Sequence, residues 1–553
     1  MSENDYRLET RCLSSLVKVF ADSELDEPAY HQASALRNET FAFQIAYKSD
    51  RVMKGIRVHI QSELSEMISV RQAGLVPSEL PVHGDHDGVI LRQTPGLFPD
   101  PLYPVREGAG VTAYPGQWRA IWITVEMSGQ VRPGIKEITV SLESESGGKL
   151  GEERFLLEVI PALLPEQRLI HTEWFHADCL ASYYRVEIFG EEHWRLIDAF
   201  VQNAASHGIN MMLTPLFTPP LDTAVGGERP TVQLVDVEKD GPHYRFGFDR
   251  LKRWTELCNG RGIKYFEFSH LYTQWGAKRA PKIMAEGDGG LQQIFGWDTD
   301  AAGEEYRLFL AQFLPELVAF IEKNDLSGRC FFHLSDEPGL DHLEAYRSAS
   351  LFVKPLLGGM PVIDAISDYS FYEQGLIDQP VCASNHLEGF FDHSVQNLWT
   401  YYCCVQYKEV ANRFFAFPSF RNRIVGMQLY KFDIKGFLHW GYNFWYSQYS
   451  LRQLNPYQTT DADAAFPSGD AFLVYPGERG PVESIRLEVF CEALQDLRAL
   501  ELLESLIGRS RVLELLEGDL EEPLTFRTYP RESGWLLEKR MEINRLVKEH
   551  LMK

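Results

Sequence analysis

The stretch Cys330-Phe-Phe-His-Leu-Ser-Asp-Glu-Pro-Gly339 carries the logic of this chain in ten residues. An apolar run leads into two adjacent acids, Pro-Gly stops it, and residues 340–357 follow with helical spacing. An apolar strand that runs into a loop and then a helix is one unit of a parallel sheet. Working outward, similar apolar runs recur at 170–176, 209–216, 265–272, 362–367, 381–385, 398–403 and 437–444, with helical spacing over 193–207, 248–261 and 304–323. Eight such units predict a central (β/α)8 barrel of the TIM type, spanning 165–480. The connections after Ser367 and Asn385 are short for full helices, so some outer helices are expected to be abbreviated. Pro219 and Pro220 open a long polar loop reaching about Pro242, which would lie on the catalytic face.

Residues 1–164 read differently. Short alternating runs, such as Phe41-Ala-Phe-Gln-Ile-Ala-Tyr47, Trp118-Arg-Ala-Ile-Trp-Ile-Thr-Val125 and Ile138-Thr-Val-Ser-Leu142, are broken by Gly, Pro, Asn and Asp. Period-two alternation with regular turn signals predicts an N-terminal β-sandwich. It supports the barrel or walls its site. Ile160-Pro-Ala-Leu-Leu-Pro165 closes this region. From 481 to 553 the pattern is helical: Ala493, Leu497, Leu500, Leu503 and Ile507 share one stripe, and a second helix covers 534–551. The chain is thus multidomain, with C-terminal helices packed on the barrel.

Net charge is -24 over 553 residues, with no Lys/Arg run. Such a surface repels phosphate backbones and anionic lipid heads, so nucleic-acid and membrane partners are not expected. Met1 to Leu16 is polar and charged, and no run reaches the length of a membrane span. The eight cysteines show no Cys-x-x-Cys spacing and sit mostly in apolar runs, as buried reduced thiols do; the expected location is the cytoplasm. Phosphate-binding loops, a Gly-x-Gly-x-x-Gly turn and a Gly-x-Ser-x-Gly elbow are absent, and so is any ligand spacing for a metal: His176 and Asp178 lack a third partner. No cofactor is expected.

Active sites of these barrels gather at the carboxyl ends of the strands, which places Asp336 and Glu337 at a strand tip. On a regular strand neighbours point to opposite faces, but Pro338-Gly339 ends the strand and lets both acids reach one pocket. Two carboxyls in a dry cleft repel, so one keeps its proton and can act as a general acid. The plainer alternative is that Asp336 caps the helix beginning near Leu340 and Glu337 is solvated. Many retaining barrel glycosidases use a second carboxylate on strand seven. Here that strand, Leu398-Trp-Thr-Tyr-Tyr-Cys-Cys404, has none, and neither has the eighth. The nucleophile is then expected to come from the substrate: a sugar 2-acetamido oxygen attacks its own anomeric carbon, with one residue as acid/base and the other holding the acetamido N–H.

Sugars stack ring faces on aromatics. The strand tips supply Trp174 and His176, Tyr272 and Trp275, Tyr401 and Tyr402, Trp440 and Trp445, some of which must be ordinary core. A phenol at Tyr401 or Tyr402 would reach the acetamido oxygen, and His386 would bind a hydroxyl or pack in its loop.

His333-Leu-Ser-Asp-Glu-Pro338, Trp399-Thr-Tyr-Tyr-Cys403, Trp440-Gly-Tyr-Asn443, Gly469-Asp-x-x-x-x-Tyr475-Pro-Gly477 and Ser484-Ile-Arg-Leu-Glu488 together resemble glycoside hydrolase family 123 and its relatives of unknown function, over roughly residues 165 to 510. A sandwich ahead of the barrel is usual there. The resemblance implies a retaining, exo-acting β-N-acetylgalactosaminidase using substrate-assisted catalysis, with Asp336 orienting and polarising the acetamido group and Glu337 as acid/base. Glu488-Val-Phe-Cys-Glu-Ala493 departs from the pattern, since relatives more often carry an Arg and a Gly there. The expected partner is a glycan or glycoconjugate with a terminal N-acetylhexosamine. A β-N-acetylglucosaminidase or another glycosidase with the same carboxylates is the nearest alternative, and a non-catalytic carbohydrate-binding protein is the alternative of a different class. The residues leave the oligomeric state and the aglycone open.

Overall fold

The structure, a computed structural model, describes residues 8–106 and 108–551; residues 1–7 of the polar N-terminal stretch lie outside them. Two five-stranded sheets form the N-terminal part. One orders Glu9–Ser14, Thr40–Lys48, Arg119–Glu126, Ile68–Ser78 and Gly96–Pro104; the other orders Gln32–Arg37, Lys149–Leu163, Gly134–Glu143, Met53–Gln61 and Val111–Ala113. Ile121, Ile123 and Val125 face the second sheet and share its core with Phe43, Ile138 and Phe155, while Ala120 and Trp122 on the opposite face belong to the main core under the barrel. Cover on both faces explains why Arg119–Glu126 is almost continuously buried rather than cleanly alternating.

All eight barrel strands expected from the sequence are present: Ile170–Glu173, Met211–Thr214, Tyr265–Phe268, Cys330–Phe332, Ile363–Ile366, Gln379–Ala383, Trp399–Tyr401 and Gly436–His439. They form one parallel sheet in the order four, three, two, one, eight, seven, six, five. Each ladder ends one to five residues before the apolar run does, because the chain peels away to build the loops of the catalytic face. Closure is incomplete in hydrogen bonds. Strands four and five meet only through the bridge Phe332–Val362.

The outer layer is less regular than a (β/α)8 barrel requires. Full helices Glu191–Ser206, Asp249–Gly260, Glu304–Lys323 and Leu343–Val353 follow the first four strands, but the fifth and sixth carry only Ser370–Glu373 and Glu388–Asp392. Two hairpins, Asp236–Asp240 with His243–Gly247 and Ile283–Gly287 with Gly290–Phe295, join into a small sheet inserted after strands two and three. The inserted polar segments were legible only as loop.

The interior packs by period two. Met211, Leu213, Phe331, Ile363, Ala365, Val381, Ala383, Trp399, Tyr401 and Leu438 form a separate apolar cluster inside the sheet. Gly436 makes room for it: a Cβ there would lie 2.0 Å from the Trp399 ring. Helix Ile485–Ile507, capped by Ser484 accepting from the Leu487 N–H at 3.1 Å, crosses Val425–Lys431 backbone to backbone, since a Cβ on Gly426 would lie 1.9 Å from the Ala493 carbonyl oxygen. That crossing accounts for a small residue at 493. Glu488 pairs with Arg71 at 2.6 Å and joins the helix to the sandwich.

Candidate active site

The fourth strand ends at Phe332, and the chain beyond it is held by side chains instead of a ladder. Asp364 of strand five accepts the N–H groups of Leu334 at 3.1 Å and Ser335 at 3.3 Å, so a carboxylate spans the seam where sheet bonds are missing. Ser335 Oγ accepts from Ala277 N–H at 3.1 Å and donates to the Thr273 carbonyl at 2.8 Å, which ties in the loop after strand three. The Asp336 carbonyl accepts from Trp275 N–H at 3.0 Å. Glu337 has φ of 43°, a left-handed conformation that non-glycine residues rarely adopt. This turn breaks the strand alternation and brings both neighbouring carboxyls to one cavity. Asp336 makes no cap; Gly339 precedes the turn at Leu340–His342.

That cavity, about 160 Å³, opens at the carboxyl-terminal mouth of the barrel and is walled by Asp336, Glu337, Trp174, Trp275, Tyr401 and Trp440 from among the sequence-predicted residues. Asp222, Gln274, Cys403, Cys404, Gln448, Tyr449 and Phe466 also line it. Apart from Cys403 and Cys404, which continue the strand-seven run, they come from loops with no periodic signal. Asp222, Trp275 and Tyr449 share the positive φ of Glu337, at 38°, 59° and 58°. Strain concentrated in this way is common where side chains are held for a ligand.

Five predicted residues lie elsewhere. Tyr402, next to Tyr401, points to the outer face by strand alternation and packs on Phe437 at 5.0 Å. Trp445 is buried and donates to the Val474 carbonyl at 3.2 Å. Tyr272 is buried edge-on to Tyr306. His176 is buried behind the wall, within hydrogen-bond distance of the Trp440 carbonyl, 2.9 Å, and Arg229, 3.1 Å. His386 is exposed on the loop after strand six. None of the five lines the cavity.

Below the floor lies a buried polar chain. Glu267 accepts from Thr172 Oγ1 at 2.6 Å, from Trp174 Nε1 at 2.7 Å and from His333. The other nitrogen of His333 bonds Asp364 at 2.8 Å, and Tyr346 donates to Asp364. Burial works against charge on His333, but Glu267 and Asp364 carry its pKa up to about 10, so it is an imidazolium at neutral pH. The indole of Trp174 and the strand-four tip are thus set by one ionic network. His270 stacks on His333 at 4.3 Å, and neither of its ring nitrogens has a partner. His270, His333 and Asp364 offer ligand-type atoms within 4.8 Å of one another, although both His333 nitrogens are taken by carboxylates. At the opposite wall Trp440 Nε1 donates to Asp470 at 2.9 Å.

Glu337 Oε1 accepts the Tyr401 hydroxyl at 2.6 Å. Burial and the adjacent Glu337 carboxylate push Asp336 well above the usual carboxyl range, and burial with Glu337 nearby does the same to the Tyr401 phenol. Asp222 is pushed up to about 6, mainly by burial. The cavity therefore holds carboxyls that resist ionisation beside flat indole faces.

Cleaving a glycosidic bond needs both kinds of group together, a proton for the leaving oxygen and an apolar wall for the ring, and a barrel that presents them at this mouth belongs to the class of glycoside hydrolases. The family profile described as "Glycoside hydrolase 123, catalytic domain" matches residues 174–503, and the chain belongs to that family. A family 123 glycoside hydrolase from Clostridium perfringens, described for glycolipid glycan hydrolysis, has a TM-score of 0.75 at 15% identity, covering 98% of this chain and 97% of that one. A β-glucuronidase from Parabacteroides merdae aligns with 88% of this chain and 51% of its own at 10% identity, with a TM-score of 0.31, too low to bear on the site. No curated protein matches the sequence. Among the described residues no helix is long and apolar enough to cross a membrane.

Proposed function

We propose that this family 123 hydrolase is an exo-acting, retaining β-N-acetylgalactosaminidase in which the substrate's 2-acetamido oxygen is the nucleophile. One observation carries the reading: the tips of strands seven and eight give the cavity Tyr401, Cys403, Cys404 and Trp440 but no carboxylate, while strand four gives two adjacent ones. Glu337 serves as acid/base toward the glycosidic oxygen, and the Tyr401 hydroxyl sets its orientation. Asp336 receives the acetamido N–H. A carboxyl kept neutral by burial and by Glu337 beside it ionises when positive charge develops next to it, so its attraction grows toward the oxazolinium. Asp336 and Glu337 interact strongly, so the proton held by the pair is available to whichever carboxyl faces the leaving oxygen. A cavity of about 160 Å³ suits one terminal sugar. The substrate described for the Clostridium perfringens relative makes a glycolipid glycan the proposed natural substrate. The eight cysteines are all free, which fits work in a reducing cytoplasm.

The test is hydrolysis of 4-nitrophenyl glycosides. The β-N-acetylgalactosaminide is expected to turn over far faster than the β-galactoside, and faster than the β-N-acetylglucosaminide. Equal rates on the first two would remove the acetamido group from the mechanism.

A further inference from the structure

The cavity has a third carboxylate, Asp222, that the proposed chemistry does not use. It sits on the loop after strand two and is held from three directions. Its N–H donates to Gln274 Oε1 at 2.7 Å, its carbonyl accepts from Ser450 Oγ at 2.7 Å, and its Oδ2 accepts from Tyr449 N–H at 3.0 Å. The loops after strands two, three and eight thus converge on it. The remaining oxygen, Oδ1, has no protein donor among the described residues. No Lys, Arg or His lines the cavity with it. The cation behind this wall, Arg229, is committed: it forks onto Asp178 at 2.8 and 2.7 Å and caps the Leu221 carbonyl at 3.1 Å.

A half-buried carboxylate fixed in a left-handed turn, with one oxygen free and no counter-ion, needs donors from a ligand. Sugar hydroxyls are such donors, and O–H···O⁻ bonds are short and strong. The same arrangement penalises any anionic substituent, which would face Asp222 and Glu337 in a partly dry space with no cation lining it. We infer that Asp222 reads the hydroxyls of an uncharged terminal sugar, and that the cavity rejects the same sugar once it bears a sulfate or carboxylate. This rests on the cavity being the sugar site.

The test is a tryptophan-fluorescence titration, since Trp174, Trp275 and Trp440 line the cavity. The probes are N-acetylgalactosamine and its 4-O- and 6-O-sulfates, with the parent protein and Asp222→Asn. The Asn side chain still accepts from Tyr449 N–H, so the loop is kept. The neutral sugar is expected to bind saturably and both sulfates at least about tenfold more weakly. Asp222→Asn is expected to weaken the neutral sugar about ten- to a hundredfold and to narrow the gap to the sulfates. Sulfates binding within threefold of the neutral sugar overturn the inference even if the variant does not fold. So does unchanged neutral affinity in the variant, or the absence of any saturable sugar signal. A collapse of kcat with affinity intact would move Asp222 to the reacting centre and equally end the proposal. Selective binding of the neutral sugar without hydrolysis of its aryl glycoside removes the hydrolytic reading and leaves this one standing.

Discussion

The carboxylates at the junction of sandwich and C-terminal helices are buried, while in the cavity Asp336 and Asp222 are half-buried and Glu337 is exposed, and the two sets are treated in opposite ways. At the junction Asp496 is forked by Arg423 at 2.7 and 3.0 Å and bonded by Arg540 at 2.8 Å, and Arg540 also reaches Glu39 at 2.6 Å. Burial alone would raise Asp496, but the two guanidiniums lower it, and Glu488 is brought down to about 2 against burial by Arg71 and His207. Glu39 and Glu492 are exceptions: burial raises Glu39 despite Arg540, and Glu492, which shares Arg423, is carried up to about 7 by burial with Asp496 and Glu488 nearby. In the cavity no guanidinium or ammonium is offered, and Asp336 and Asp222 rise. Paired charges fix how domains sit. Unpaired ones are left for a ligand to complete, at the expense of the empty protein's stability.

The largest effect expected from breaking this contrast is in the cavity. Glu337→Gln should lose about 10²–10⁴-fold in kcat/KM on substrates with poor leaving groups and much less on a dinitrophenyl glycoside, which barely needs a proton. Steady-state rates on both substrates check this, and equal impairment removes Glu337 as the acid. Asp336→Asn should lower kcat by about 10²–10³ with little change in KM. A galacto-configured thiazoline should inhibit the parent well and this variant poorly; undiminished inhibition or a loss confined to KM returns Asp336 to a loop role.

At the junction the effect should fall on stability instead. Asp496→Asn leaves Arg423 and Arg540 short of a buried partner and should destabilise by about 3–5 kcal/mol, with kcat of the folded enzyme unchanged. Denaturant unfolding beside activity decides it; a stable variant, or a stable but inactive one, breaks the division between the two regions.

The smallest effect is a difference in sign with pH. Glu488 binds its proton less readily folded than unfolded, so its stabilisation is present above the ordinary carboxyl value and is lost as pH falls toward about 2. Asp222 is the reverse: folded, it holds its proton up to about 6, so stability is lost as pH rises from the ordinary carboxyl value through about 6. Asp222→Asn should therefore raise Tm by about 1–2 °C at pH 7.5, with the gain shrinking as pH falls and vanishing below the ordinary carboxyl value. A variant less stable than the parent at pH 7.5 shows that Asp222 serves the fold rather than the ligand.

Much of the architecture was legible. Each barrel strand is a short apolar run, and the interior cluster repeats every second residue, so alternation alone distinguishes Tyr401, inside, from Tyr402, outside. Applying that rule at strand seven would have removed Tyr402 from the candidate site. Trp445, Tyr272 and His176 were over-read because aromatic content near a strand tip does not say whether a residue has left the ladder or turned back into the core. The abbreviated outer helices were legible too, since the connections after Ser367 and Asn385 are short: strands five and six return through helices of four and five residues.

The sequence by itself determined the local things: which runs are strands, where the sandwich ends, that two acids stop strand four before Pro338-Gly339, and the family this pattern belongs to. Periodicity and chain punctuation are properties of neighbours along the chain, so they survive without a fold. Only the tertiary structure decided that Asp222, Gln274 and Tyr449, from three different loops, meet Asp336 and Glu337 around one cavity. It also decided that Asp364 bridges the open seam beneath them, and that these carboxylates have no counter-ion while those at the junction do. Burial and Coulomb energy depend on distances between residues far apart in sequence, and loop residues held in left-handed turns carry no periodic signal that would betray where they point.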